Sequence, residues 1–431
     1  MKKNSLTLRL VLIILLIFLL LIPLAMIQSL INERQSYRNE ALRDIYSSWA
    51  REQVIAGPIL TIETEILKEN KPGEKSIVSI NKHYLPSILE ITCELVPEVR
   101  YRGIYELVLY RAKIKMKGFF KYPGLKDIAG FKASYVSFNV GDLRGIEENI
   151  NFKWNALAHD VNPGLKNKDV LYNGFHSNIN VDNKNDRHEF ELQMLLRGSE
   201  ELSFIPVGKS TEVKINSTWN NPSFTGSYLP SKREIAAGGF NSTWKINHFN
   251  RDYPQNWDNK NYEIFPSSFG VKLLMPIDEY QKTMRTSKYG IMIIILTFVS
   301  FFMIEIFSKK VIHPIQYSLI GLSLILFYSI LLSISEYMIF QYSYIISAVM
   351  VIILIGFYVK SIYSNLKIGA IISLLLLMFY GFMYVILQLQ DYSLLLGNIA
   401  LFIILALIMF ITRKINWYDV LNGRNEIPIN K

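Results

Sequence analysis

The chain is poor in the residues that reactive sites use. It has one cysteine, Cys93, and six histidines in 431 residues. A single thiol cannot form an internal disulfide, so any exported part must be held together by its hydrophobic core. The histidines lack the close spacing of metal ligands, no G-x-S-x-G motif occurs, and the Gly-Lys-Ser string at 208–210 lacks the earlier glycine of a phosphate-binding loop. The sequence therefore predicts no catalytic residue, no metal site and no cofactor, and so a protein that is not an enzyme.

Charged residues are also scarce, at 19% of the chain, and their balance is basic, with a formal net charge of +10. Nucleic acid is one partner that such a charge attracts. Loop lysines beside anionic lipid headgroups, together with a basic exported surface, account for the charge as well. We therefore expect the lipid bilayer, and not nucleic acid, to be the charged partner.

Long apolar runs occupy both ends of the chain. The first covers Leu10–Ile27, which at about 1.5 Å per residue crosses most of a hydrocarbon core roughly 30 Å thick. It ends in "AMIQS", with isoleucine where signal-peptide cleavage needs a small residue, so we favour an uncleaved signal anchor. Five further runs are centred on 289–307, 315–333, 343–359, 368–387 and 393–412. The sequence thus predicts six transmembrane helices, one N-terminal and five C-terminal.

Basic residues in the short loops predict the orientation of these helices, because cytoplasmic loops collect lysine and arginine. Alternate loops contain Lys309 and Lys310, then Lys360 and Lys367, then Arg413 and Lys414. The loops between them contain no basic residue. Both termini are therefore expected in the cytoplasm of a multi-pass inner-membrane protein, with the large middle segment in the periplasm of a Gram-negative cell.

The same patterns predict the domain boundaries. The predicted parts are a cytoplasmic N-terminus (1–9), a signal anchor (10–30), a periplasmic domain with juxtamembrane helices (31–288), a five-helix bundle (289–412) and a cytoplasmic tail (413–431). An amphipathic helix is expected just after the anchor, with Gly57 and Pro58 ending it and beginning a strand. A second helix, "IDEYQKTMRTSKYG", is expected before the bundle.

Alternating apolar and polar residues predict that the middle segment is rich in β-strands. In "YELVLYRAKIKMK" one face carries Val108, Tyr110, Ala112, Ile114 and Met116, and the other carries basic residues. The stretch "RHEFELQMLL" repeats this pattern. The predicted fold class is a membrane α+β protein, with six helices and a β-rich domain inserted after the first.

Two copies of Asn-Ser-Thr-Trp, ending at Trp219 and Trp244, bracket a segment rich in proline and glycine. Alternation places both tryptophans on apolar strand faces, which favours core packing. Proline and glycine disfavour extended pairing between them, so we predict a long loop with aromatic anchors Phe224 and Tyr228. Aromatics on a rigid scaffold suit an envelope partner, and these two are our candidate partner-binding residues, with core packing as the alternative.

Two acidic residues, Glu305 and Glu336, lie in or near predicted spans. Ionisable groups are costly inside a bilayer, so both are candidates for a membrane polar site. Each has a structural alternative. Glu305 lies one turn before Lys309 near the cytoplasmic face, where a salt bridge suffices, and Glu336 lies at the opposite interface.

Several longer strings complete the sequence pattern. They include "SSWAREQVIAGPIL", "GIYELVLYRAKIKMKGFF", "GSEELSFIP", "STWNNPSFTGSYLP", "FGVKLLMPIDEYQKTMRTSKYG" and "HPIQYSLIGLSLILFYSILLSISE". In order and spacing, over nearly the whole chain, they resemble the CreD family of inner-membrane proteins, often described as cell envelope integrity proteins. The chain departs at Tyr228, where family members often have phenylalanine. The resemblance implies a six-span protein with a periplasmic domain, linked to envelope maintenance and stress response, with no established enzymatic activity.

Two functional hypotheses follow. The first is a non-catalytic envelope protein whose periplasmic domain binds an envelope protein or ligand that the sequence does not identify. The alternative is a transporter or lipid-handling protein that acts through the five-helix bundle. Paired spans interrupted by glycine and proline, which mark many transporters, are absent from the sequence, and this favours the first hypothesis. Both hypotheses leave a homo-oligomer open.

Overall fold

The computed structural model describes residues 6–71, 74–103, 105–121, 130–181, 186–260, 262–275, 279–308, 310–388 and 393–413. The chain separates into two compact units, one formed by Met1–Arg38 with Ile277–Lys431 and the other by Asn39–Pro276. The described residues of the first unit are mainly helical, and those of the second are mainly β-strand.

Helices flank the β-rich part of the chain. They are α1 (Leu6–Trp49), α2 (Glu279–Lys288), α3 (Gly290–Ser308), α4 (Pro314–Ser335), α5 (Phe340–Tyr363), α6 (Leu366–Gln388) and α7 (Ser393–Thr412). Among the described residues, α1 and α3 to α6 are long and apolar enough to cross a membrane, and α7 contains a shorter apolar stretch, Leu395–Ala406. The predicted fold class is confirmed, and α2 is the helix expected before the bundle.

Helix α1 packs against α3 and α4 through small residues on those helices. Gly321 lies so close to Leu20 that an added Cβ would come within 2.2 Å of its Cδ1, and a Cβ on Gly290 would lie 3.0 Å from the Cδ1 of Leu24. Leu20 and Leu24 are buried. Close approach over small residues is the usual way that helices gain packing energy in a membrane, where water cannot drive association.

The second unit is built on two β-sheets. The first has the order β13 (Pro222–Gly226), β17 (Phe269–Leu273), β11 (Glu201–Phe204), β1 (Gln53–Lys71), β5 (Phe131–Asn139), β9 (Gly174–Asn178) and β8 (Asn162–Pro163), with β2 (Glu74–Tyr84) joining β1 to β16 (Asn256–Asp258). The second has the order β14 (Lys232–Ala236), β15 (Gly239–Asn247), β12 (Ser210–Ser217), β3 (Ile88–Arg102), β4 (Tyr105–Lys121), β10 (Arg187–Ser199), β6 (Asn151–Trp154) and β7 (Leu157–His159).

The side chains between these sheets form one hydrophobic core. The predicted apolar face of β4 is buried from Val108 to Met116, and the matching face of β10 is buried from Phe190 to Leu196. The two strands pair antiparallel along thirteen positions. The alternation read from the sequence is therefore confirmed, because each strand has one face on the core and one towards solvent.

The start of the β unit differs from the prediction. Helix α1 ends at Trp49 and β1 begins at Gln53, so Gly57 and Pro58 neither end the helix nor begin the strand. They lie inside β1, where its pairing with β5 shifts register between Ala56 and Ile59. A glycine and a proline mark a bulge here and not a boundary, because a strand tolerates the lost N–H at such an irregularity.

Candidate functional site

The segment between the two tryptophans is not a long loop, and this prediction was wrong. Pro222–Gly226 pairs with β17 as the outermost strand of the first sheet, and Lys232–Ala236 pairs with β15 as the outermost strand of the second. Proline is tolerated at the start of an edge strand, because no neighbour on the open side needs its missing N–H. The segment therefore supplies one edge of each sheet.

Phe224 and Tyr228 are half-buried and pack against the core from this edge. The Phe224 ring meets Phe240 and Trp244 edge-on at centroid distances of 5.9 and 5.7 Å. The Tyr228 hydroxyl donates a hydrogen bond of 2.6 Å to the carbonyl of Asn250. Both aromatics thus hold the edge segment on the core while leaving part of each side chain accessible.

The two bracketing tryptophans have different environments. Trp244 is fully buried, and its Nε1–H donates to the Tyr228 carbonyl at 3.1 Å. Trp219 lies beyond the end of β12, is half-buried, and donates to the carbonyls of Asn221 and Leu274 at 3.2 Å each. The core placement predicted for Trp244 is confirmed, whereas Trp219 lies at the rim of the core.

Three strongly exposed apolar side chains lie on or beside the hairpin of β14 and β15. Leu229 is 71% exposed, Ile235 is 51% exposed and Phe249 is 86% exposed. The bond from Tyr228 to Asn250 holds the chain neighbours Leu229 and Phe249 at the same end of this edge. Ile235 lies opposite the buried Phe240, so it shares the core-facing side of the sheet and yet remains uncovered.

Among the described strands β14 pairs only with β15, so one side of its backbone is an open edge. A two-residue connection at 237–238 joins Ala236 to Gly239, so those two residues form a hydrogen-bonded pair and the pairs then alternate. Arg233 and Ile235 consequently direct their N–H and C=O groups away from β15. Such an edge is a template for an added strand, and charged residues such as Lys232 and Arg233 are the usual protection against unselective pairing.

Both candidate membrane acids are paired with arginines of α1. Glu305 is buried, accepts from Arg9 Nη1 at 3.0 Å and accepts from the Tyr317 hydroxyl at 3.0 Å. Glu336, at the end of α4, lies 3.6 Å from Arg34 Nε and accepts from the Tyr280 hydroxyl at 3.3 Å. Lys309, the ion-pair partner considered for Glu305 from sequence, lies outside the described residues.

One polar cluster was not predicted from the sequence. Three guanidinium groups surround the Trp49 ring at 4.5 to 5.5 Å from its centroid, and they belong to Arg100, Arg111 and Arg197. Glu147 accepts from Arg111 at 3.0 Å and lies 2.5 Å from Arg197. Cation–π contacts of this kind tie the end of α1 to β3, β4 and β10. No local pattern predicts these contacts, because Trp49 is distant in sequence from all three arginines.

The described residues contain no group of three or more His, Cys, Asp or Glu side chains that could hold a metal ion. Cys93 is a buried free thiol, and burial raises its pKa. A thiol with a raised pKa is a poor nucleophile, because only the thiolate reacts readily. Cys93 therefore behaves as a small core residue.

Comparison with known proteins gives two findings. The family model "Inner membrane protein CreD" matches residues 5–418. The chain is also 32% identical over 413 residues to a protein of Escherichia coli (strain K12) named "Inner membrane protein CreD", an alignment that covers 93% of this chain and 91% of that protein.

Proposed function

The chain belongs to the CreD family of inner membrane proteins, and from this membership we propose that it is a non-catalytic protein of the cell envelope whose β-rich domain binds an envelope partner. In this proposal residues 31–288 lie in the periplasm, both termini lie in the cytoplasm, and the six helices anchor the domain. Its task is envelope integrity or the response to envelope stress.

The observation that carries the proposal is the open edge formed by β14. Three exposed apolar residues, Leu229, Ile235 and Phe249, lie along or beside this edge, where β14 has a neighbouring strand on one side only among the described residues. An open sheet edge with exposed apolar side chains along it is typical of a surface that binds an added strand. Phe224 and Tyr228 support this surface from behind, and we propose that a partner touches their accessible parts.

The alternative of a transporter or lipid-handling protein receives less support. Its two candidate acids, Glu305 and Glu336, each have an arginine and a tyrosine hydroxyl as partners. Groups so engaged are less available for a transported ion or proton than unpaired acids would be. The ion pairs support a structural role for both acids as links between helices.

A functional experiment uses the full chain in a strain that lacks its own copy. Leu229→Lys combined with Ile235→Lys places charge on two exposed side chains of the edge, neither of which belongs to the buried core. The matched control is Leu157→Lys, since Leu157 is 69% exposed on β7, the opposite edge of the same sheet. We expect the double variant to lose survival under envelope stress at normal abundance, and the control to behave as wild type.

A photoreactive residue at position 235 gives an independent readout in intact cells. We expect a discrete crosslinked product there and none at position 157. Loss of abundance in the double variant alone would assign the edge to folding. Full survival of the double variant, without a specific product at 235, would refute partner binding at this edge.

A further inference from the structure

A cavity of about 190 Å³ lies within the helical unit, between the start of α1 and the connection from α3 to α4. Its polar end is formed by Arg9, Glu305, His313 and Tyr317. Its remaining walls are apolar, including Leu12 and Leu16 of α1 and Val311 of the connection. The cavity thus has a polar head and an apolar continuation along one helix.

The charges at the polar end are unevenly exposed. Glu305 has a side chain only 5% exposed, and both of its oxygens accept hydrogen bonds, from Arg9 and from Tyr317. The Arg9 side chain is 28% exposed and gives one N–H to Glu305. Its other N–H groups donate to no residue that the structure describes. A ligand that enters therefore meets guanidinium donors before it meets the carboxylate.

His313 adds a second donor. It caps α4, where its Nδ1 accepts from the backbone N–H of Ile315 at 3.3 Å. A neutral ring with an accepting Nδ1 carries its proton on Nε2. The cavity is therefore lined by two donor side chains, and a planar guanidinium is the group best matched to the oxygens of a phosphate.

The apolar walls identify the molecule that carries the phosphate. Leu12 and Leu16 are half-buried and lie one turn apart on α1, and Val311 is 53% exposed. Leu12 and Leu16 follow Arg9 along the apolar run of α1. The nearby Leu15 and Leu19 of the same run are 61% and 57% exposed. A soluble phosphate would leave these walls uncovered, whereas an acyl chain would cover them. Basic pockets between transmembrane helices are known sites for phospholipid headgroups.

We propose that this cavity binds the phosphodiester headgroup of a membrane glycerophospholipid, with the phosphate on Arg9 and His313 and an acyl chain along Leu12 and Leu16. The site is independent of the partner-binding edge. The bound lipid would fill the space between α1 and α4 and so stabilise the attachment of α1 to the bundle.

The experiment measures lipid binding by the purified full chain in detergent, by native mass spectrometry and by the lipid-induced shift in Tm. Three additives are compared: phosphatidylglycerol, a diacylglycerol with the same chains but no phosphate, and inorganic phosphate. Arg9→Gln alone would leave Glu305 buried without its partner, so the informative variants are Glu305→Gln and Arg9→Gln with Glu305→Gln. Arg34→Gln with Glu336→Gln is the matched control, since it removes the other arginine–glutamate pair of α1.

We expect phosphatidylglycerol alone to bind and to raise Tm. Glu305→Gln should bind it at least as well as wild type, since Arg9 is then freed, and the control should bind it as wild type does. The Arg9→Gln, Glu305→Gln variant should bind at least tenfold more weakly, with a lipid-free Tm close to wild type. Equal binding by that variant, equal loss in the control, or an equal effect of diacylglycerol or inorganic phosphate would each overturn the proposal.

Discussion

Replacing Trp244 by alanine should lower the free energy of unfolding of the β unit more than the same change at Trp219. Trp244 is fully buried, and its ring meets Phe224 at 5.7 Å and Phe269 at 5.6 Å. Removing a buried tryptophan costs about 3 to 5 kcal/mol, against a total stability of about 5 to 15 kcal/mol for a domain. Trp219→Ala removes less buried apolar surface, together with the indole N–H that is shared between two carbonyls. The total cost of this substitution is about 1 to 2 kcal/mol.

Pulse proteolysis in urea, applied to membranes that contain the full chain, compares the two variants directly. A difference of about 2 kcal/mol changes the ratio of folded to unfolded domain by roughly 30-fold. Trp244→Ala should therefore be digested at clearly lower urea and be scarce in the membrane, while the midpoint of Trp219→Ala falls by a smaller amount. Equal midpoints for the two variants would refute the assignment of Trp244 to the core and Trp219 to its rim.

Three further expectations concern other groups. Burial lowers the pKa of His83 in the folded protein below its ordinary value of 6.5. The stability that neutral His83 contributes is therefore complete above pH 6.5 and is lost as the pH falls towards the pKa of the folded state. The stability advantage of wild type over His83→Gln, measured by urea proteolysis, should therefore shrink between about pH 7.5 and pH 5; a constant advantage would contradict this. Glu336→Gln should complement fully at normal abundance if Arg34 and Tyr280 make it structural, and loss of function there would revive the transport hypothesis. A phosphatase fused after Lys431 should be inactive, and periplasmic activity would disprove a cytoplasmic C-terminus.

The hydropathy and alternation of the sequence predicted most of the architecture. Runs such as 343–359 correspond to helix α5, and the alternation in β4 and β10 matches their buried faces. Each of these signals is local, because one helix or one strand carries its own periodicity whatever its neighbours are. The same reasoning found the core position of Trp244.

Pairing between distant segments could not be read in this way. Proline and glycine in 222–236 argued against strands, yet both strands lie at sheet edges where their open side needs no partner. Arg9 and Glu305 are 296 residues apart, and the three arginines around Trp49 come from three different strands. Which residues meet is decided by topology, and neither composition nor spacing encodes it.

The two arginine–glutamate pairs of α1 explain why acids occur in the spans of a protein with so few charges there. Arg9 and Arg34 are 25 residues apart, which on one helix is about 37 Å. That distance exceeds a hydrocarbon core of roughly 30 Å, so we expect the pairs near opposite interfaces, where charge is tolerated. Between them, the attachment of α1 depends on apolar contacts such as Leu20 on Gly321. Acids at the two ends of an apolar helix contact are where structural pairs are expected, whereas transport sites usually lie near the bilayer midplane.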